Sequence, residues 1–175
     1  MRFLGVLITM LVCVHSASAL QRKPEIRVLE LEQRIHSLIN SERRANDLEP
    51  LLFDDGLSSV ARANSRDMAE RGFFDHVNPD GRNPKQRAFL AGYTCRKGLA
   101  ENIYQNNLYS RVTTTNNRRS YDWKSMEEIA AGSVRGWMHS AGHRRNILEA
   151  TYGRTGIGAA IAAGGEVYIT QMFCG

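Results

Sequence analysis

The sequence predicts an α+β domain in which an antiparallel sheet is packed between helices. Three observations carry that prediction. Apolar residues recur at helical spacing through most of the chain, and from Thr155 onward the pattern changes to the alternation of strands. About 155 residues remain once an N-terminal export signal is set aside, enough for one core and too few for two.

The signal comes first. Arg2 gives a positive start, residues 3–14 form an apolar run, and Ala17-Ser18-Ala19 is a small-residue cleavage site. The run is shorter than the roughly twenty apolar residues that a membrane span needs. Residues 1–19 are therefore predicted to be a signal peptide cleaved after Ala19, which removes Cys13 and leaves no transmembrane segment. Residues 20–29 form a mobile leader.

Ile26, Leu29, Leu31, Ile35, Leu38 and Ile39 then fall on one helical face, so a first helix is expected from about Glu25 to about Asn46. Asp54-Asp55-Gly56 supplies capping groups for a second helix, whose stripe of Leu57, Val60, Ala61, Asn64 and Met68 runs to Gly72. Phe73-Phe74 should dock the following loop on the core, and Asn78-Pro79-Asp80-Gly81 is a turn. Residues 84–91 suit a short helix stopped by Gly92. The stretch around Glu101 has too little periodicity to assign, and residues 105–122, rich in Asn, Thr and Arg, read as a flexible surface excursion.

Ser125 and Glu128 make a capping box for a helix carrying Met126, Ile129, Val134 and Trp137, with Trp137 as a core anchor. Ser140-Ala141-Gly142 should break that helix and leave His143 on a sharp corner facing a cleft. Two strands, 155–163 and 166–174, are expected to be joined at Gly164-Gly165 as a two-residue hairpin. Val167, Ile169 and Phe173 point to one face and Tyr168, Met172 and Cys174 to the other, so both faces look covered.

After signal removal two cysteines remain, and in an oxidising compartment Cys95 and Cys174 should pair. The bridge would close a loop of about eighty residues, worth roughly 4.5 kcal/mol in the chain-entropy model. The formal charge of +5 suits acidic cell-surface polymers or anionic headgroups. Nucleic-acid binding is excluded by the export signal and by the lack of any base-reading motif.

The runs IHSLINSERRANDLEPL, FFDHVNPDGRNP, GLAENIY, GWMHSAGHRRNIL and YITQMFC stand in that order along the chain. Together they resemble the CAP superfamily, the secreted domain shared by cysteine-rich secretory proteins, antigen 5 and pathogenesis-related 1 proteins, in its short microbial form. The resemblance implies a three-layer α-β-α sandwich with a central antiparallel sheet over residues 30–175. It also implies a cleft of two histidines and two glutamates that sometimes holds a divalent metal. His76 and His143 match the histidines and Glu101 the glutamate of the A-E-N run. Ser140 stands where the second glutamate would be, which reduces the set to three.

Two imidazoles and one carboxylate could ligate Zn2+ or another divalent cation through His76, His143 and Glu101. The expectation is therefore a secreted or periplasmic, monomeric CAP protein that binds a metal or a small ligand in an extracellular role. By resemblance, a sterol or other lipid, or a cell-surface ligand, is a further class of partner, with Tyr104, Leu108 and Tyr109 bordering any groove. Two alternatives stand beside it. In a metal-assisted hydrolase Glu101 would be the general base, with His76 and His143 completing the catalytic set. In a structural cluster the three residues would simply bond one another and lock the loops.

Overall fold

The computed structural model describes residues 22–175. The predicted signal peptide, its cleavage site and Cys13 lie outside the described residues. The first helix, α1 (Val28–Arg44), begins three residues later than the periodicity suggested, inside the stretch read as a leader. Ile26 still packs on the core from the extended approach, so its apolarity mimicked a helical position.

A two-residue strand, β1 (Leu52–Phe53), leads into α2 (Asp55–Arg71). The side chain of Asp54 accepts the Leu57 amide at the start of α2, and Gly72 ends it at φ 67°, a left-handed conformation glycine adopts without strain. Asn83 and Gln86 form a reciprocal capping box at the start of α3 (Pro84–Leu90), with Pro84 in the first turn.

The segment around Glu101 and the expected surface excursion are both strand. β2 (Leu99–Asn107) is followed by β3 (Tyr109–Thr115) and β4 (Arg118–Trp123), which pair as a hairpin. Asn116 and Asn117 both take positive φ, 49° and 59°, which is the turn a two-residue hairpin requires. A cluster of Tyr109, Tyr121 and Trp123 rings holds its base.

The expected capping box starts α4 (Met126–His139), and Trp137 is fully buried, its Nε1 donating to the Ile103 carbonyl at 3.0 Å. The break after α4 falls at Ser140, whose backbone is extended, and α5 (Ala141–Ile147) starts at once. Gly142 is helical. His143 therefore sits in the first turn of a helix, not on a glycine corner.

β5 (Arg154–Ile161) and β6 (Glu166–Cys174) close the chain as an antiparallel pair. Their loop is longer than the two residues expected. The Gly165 amide donates to the Ala162 carbonyl, and Gly165 takes φ 97° to return the chain into β6.

The main sheet runs β1-β5-β6-β2, antiparallel except for the short parallel pair of β1 with β5, so it is mixed where a purely antiparallel sheet was expected. One face packs Ile157, Ala159, Val167, Ile169 and Phe173 against Leu31, Ile35 and Ile39 of α1 and Ile129, Val134 and Trp137 of α4. The other packs Met172 and Cys174 against Leu57, Val60 and Ala61 of α2, and Tyr168 against Met68. These are the two faces of β6 that the alternation assigned, and the result is an α-β-α sandwich. At Gly156 and Gly158 a Cβ would run into the α2 backbone, so these two glycines let the helix lie directly on β5. Cys95 and Cys174 are disulfide-bonded with Cα atoms 5.3 Å apart, tying the end of β6 to the segment before β2.

Candidate functional site

Glu101 lies on β2, at the edge of the sheet and on the α2 side, since it shares a face with Ile103, two residues on, which packs on Met68. Its carboxylate is 1% exposed and both oxygens are engaged. Oε1 accepts from Nδ1 of His76 at 2.8 Å, and Oε2 accepts from the Arg87 guanidinium at 2.6 Å.

His76 reaches Glu101 from the loop after α2. Phe73 anchors that loop on the Met68, Ile103 and Tyr168 cluster, whereas Phe74 stays largely exposed beside Tyr168. The turn is closed by the Gly81 amide donating to the Asn78 carbonyl, with Gly81 at φ 76°. Nδ1 must carry a proton to donate to a carboxylate, which places Nε2 on the opposite side of a ring that is 46% exposed.

Arg87 is the residue that spacing did not reveal. It sits within α3 with its side chain 9% exposed, and besides Glu101 it donates to the carbonyls of His76 and Arg82. One guanidinium thus fixes the buried carboxylate and the loop that carries the histidine. The signal that points to it is Glu101 itself, because a carboxylate removed from water needs a cation.

Asn102 faces the other way from Glu101 and was also missed. Its Nδ2 donates to the His143 carbonyl at 3.2 Å and its Oδ1 accepts from Asn146 at 2.8 Å, so it pins α5 to the sheet edge. His143 is brought near enough to His76 to feel its charge. His139 turns back instead, its Nδ1 donating to the Arg135 carbonyl.

The environments push the two imidazoles apart. The hydrogen bond to Glu101 raises the pKa of His76 above the ordinary histidine value, against some desolvation and the nearby Arg87 charge. Burial lowers that of His143, and the charge of His76 adds to the effect. Near neutral pH the site therefore pairs an imidazole biased towards its cation with one biased towards its neutral form. Among the described residues, no group of three or more His, Cys, Asp and Glu side chains is placed to hold a metal ion.

The three-layer sandwich defines the class of fold, and sequence comparison agrees. The family model described as CAP, the cysteine-rich secretory protein family, matches residues 36–173, and the chain belongs to that family. The uncharacterized protein YkwD of Bacillus subtilis (strain 168) is 34% identical over 146 residues, which make up 82% of this chain and 47% of that protein. The chain thus spans about half the length of this curated relative.

Three solved structures share the fold. An extracellular protein containing a SCP domain from Bacillus anthracis matches with a TM-score of 0.63 at 23% identity, over 86% of this chain and 44% of that one. An outer surface protein from Borrelia burgdorferi matches with a TM-score of 0.67 at 16% identity, over 87% and 98%. NaASP2, solved with Zn2+, matches with a TM-score of 0.55 at 15% identity, over 86% and 82%. Among the described residues no helix is long and apolar enough to cross a membrane.

Proposed function

We propose that this chain is an exported, extracellular binding module whose cleft takes a divalent cation between the imidazoles of His76 and His143. The observation that carries the reading is the bond from His76 Nδ1 to Glu101. A carboxylate on one ring nitrogen is the usual means of orienting a metal-ligating histidine and raising the basicity of the other nitrogen. Glu101, with both oxygens engaged, then serves as the orienting partner and not as a ligand, which fits the absence of a three-residue cluster among the described residues. His143, biased towards its neutral form, offers a lone pair. A cation held by two imidazoles would keep open positions for a carboxylate, carbonyl or phosphate oxygen of a partner.

The Zn2+ in the structure of NaASP2 supports the reading by analogy of fold. The signal-like residues 1–19 and the extracellular or surface character of two structural neighbours support export. The other expectations have less support. With both carboxylate oxygens occupied, Glu101 is poorly placed as a general base. Leu108, named as a border for a lipid groove, is sealed in the core.

Zinc titration by calorimetry tests the proposal. One-to-one binding is expected at about pH 7.5, weakening at about pH 5.5 as the imidazoles hold their protons, and abolished in His143→Ala. Glu101→Gln should weaken binding by about tenfold or more. No heat at millimolar zinc, or binding unchanged in His143→Ala, refutes the assignment.

A further inference from the structure

The β3–β4 hairpin stands apart from the main sheet. It forms a two-stranded sheet of its own, so among the described residues neither outer edge has a neighbouring strand. Its root is fixed: the Leu108 amide donates to the Gly165 carbonyl, the Lys124 amide donates to the Leu108 carbonyl, and the rings of Tyr109, Tyr121 and Trp123 pack together. Beyond that root every residue from Ser110 to Ser120 is exposed. Alternate residues of an outer strand turn their amide and carbonyl groups to the open edge, which is the template on which a further strand pairs. The same stretch holds Arg111, Arg118 and Arg119 and no acidic residue. Arg111 reaches the carboxylate of Asp122 at 4.0 Å, whereas Arg118 and Arg119 have no ion-pair partner among the described residues.

We infer that the outer edge of β4 is a docking site for an acidic segment of another protein, which adds to the hairpin as a third strand. The open backbone edge selects an extended polypeptide, because its donors and acceptors repeat at the spacing of a strand and main-chain bonds supply the affinity. The arginines select its charge. A second copy of the hairpin would set arginine against arginine, so the edge rejects self-pairing while favouring a strand of opposite sign. Arg118 and Arg119 are adjacent on β4 and their side chains leave opposite faces, so the matching strand carries two adjacent acidic residues, one for each face. Their planar guanidinium groups match carboxylates in geometry as well as in charge. A bilayer fits the arm less well, because Val112, 39% exposed, is its one exposed large hydrophobic residue and leaves little to bury in lipid. With its root already fixed, the hairpin loses little freedom on docking. This surface is independent of the cation reading of the cleft.

The test is amide NMR of the full chain titrated with a seven-residue peptide in which two adjacent glutamates stand among threonines and valines. Amides within residues 109–123 should shift, and the binding should weaken as salt is raised. The same peptide N-methylated throughout, which keeps the charges and removes the backbone donors, should not bind. The charge-reversed chain, Arg118→Glu with Arg119→Glu, should bind the peptide at least about tenfold more weakly, with an unchanged unfolding midpoint because both positions are exposed. The proposal is overturned by no shift at millimolar peptide, by shifts confined to other residues, by equal binding of the N-methylated peptide, or by undiminished binding to the charge-reversed chain. It is equally overturned if the same amides shift at lower concentration with polygalacturonate or phosphatidylglycerol vesicles, or on concentrating the chain alone.

Discussion

Replacing Glu101 by Gln keeps the shape of the side chain and removes its charge. Arg87 would then hold a guanidinium, 9% exposed, against a neutral amide. Breaking a buried pair by removing one partner costs about 3–5 kcal/mol, because the remaining charge stays buried and uncompensated. The pair here is close, at 2.6 Å, and the carboxylate is 1% exposed, so solvent screens it little. His76 retains an acceptor in the amide oxygen and is half-exposed, which limits its share of the loss. The expected destabilisation is about 3 kcal/mol, or about 6–12 °C in Tm for a chain of this size. Arg87→Met should cost at least as much, since it also releases the carbonyls of His76 and Arg82. The double variant should be clearly less destabilised than the sum, with a coupling of about 2 kcal/mol. Urea unfolding followed by the fluorescence of buried Trp137 measures all three. Single variants within about 0.5 kcal/mol of the wild type, or additive losses, would refute the argument that the carboxylate is held by the guanidinium.

Reducing the Cys95–Cys174 bridge, which spans a sequence separation of 79, should lower stability by about 4 kcal/mol through the larger freedom of the unfolded chain; a loss under about 1 kcal/mol in denaturant titrations would contradict this. The two histidines should impose opposite pH dependences on stability in the presence of a chelator. The raised pKa of His76 adds stability that is full below the ordinary value of about 6.5 and is lost as pH rises through its elevated folded value. The lowered pKa of His143 gives stability that is present above about 6.5 and lost as pH falls through its depressed folded value. In acid, therefore, His76→Gln should fall below the wild type while His143→Gln gains on it, and slopes of the same sign would refute the assignment.

Helices α2 and α4 were legible because each buries one face and carries its own end signals. Asp54, Gly72 and the Ser125 and Glu128 box all act where the residues alone placed them, whereas the Asn83 and Gln86 box emerged only from the structure. β5 and β6 were legible because both faces of the strands are covered, which leaves a long apolar run. The β3–β4 hairpin was not, because its residues are mostly exposed and no burial imprints a period on them. Its trace was local: threonines and aromatics of high strand propensity around an Asn-Asn pair able to take positive φ.

His76, Glu101 and His143 were legible as candidate site residues through their motifs, and the pairing of Cys95 with Cys174 was legible from the cysteine count. Tertiary structure decided which partner each group meets. Glu101 is tied to Arg87, fourteen residues away on a different element, and Asn102 to His143 and Asn146 across the sheet edge. It also narrowed the break before His143 to Ser140, with Ala141 and Gly142 helical, and made one imidazole easier to protonate and the other harder. The physical reason is one of range. Caps, turns and periodicity act between residues close in the chain, whereas desolvation and charge pairing depend on what packs against a group from far along it.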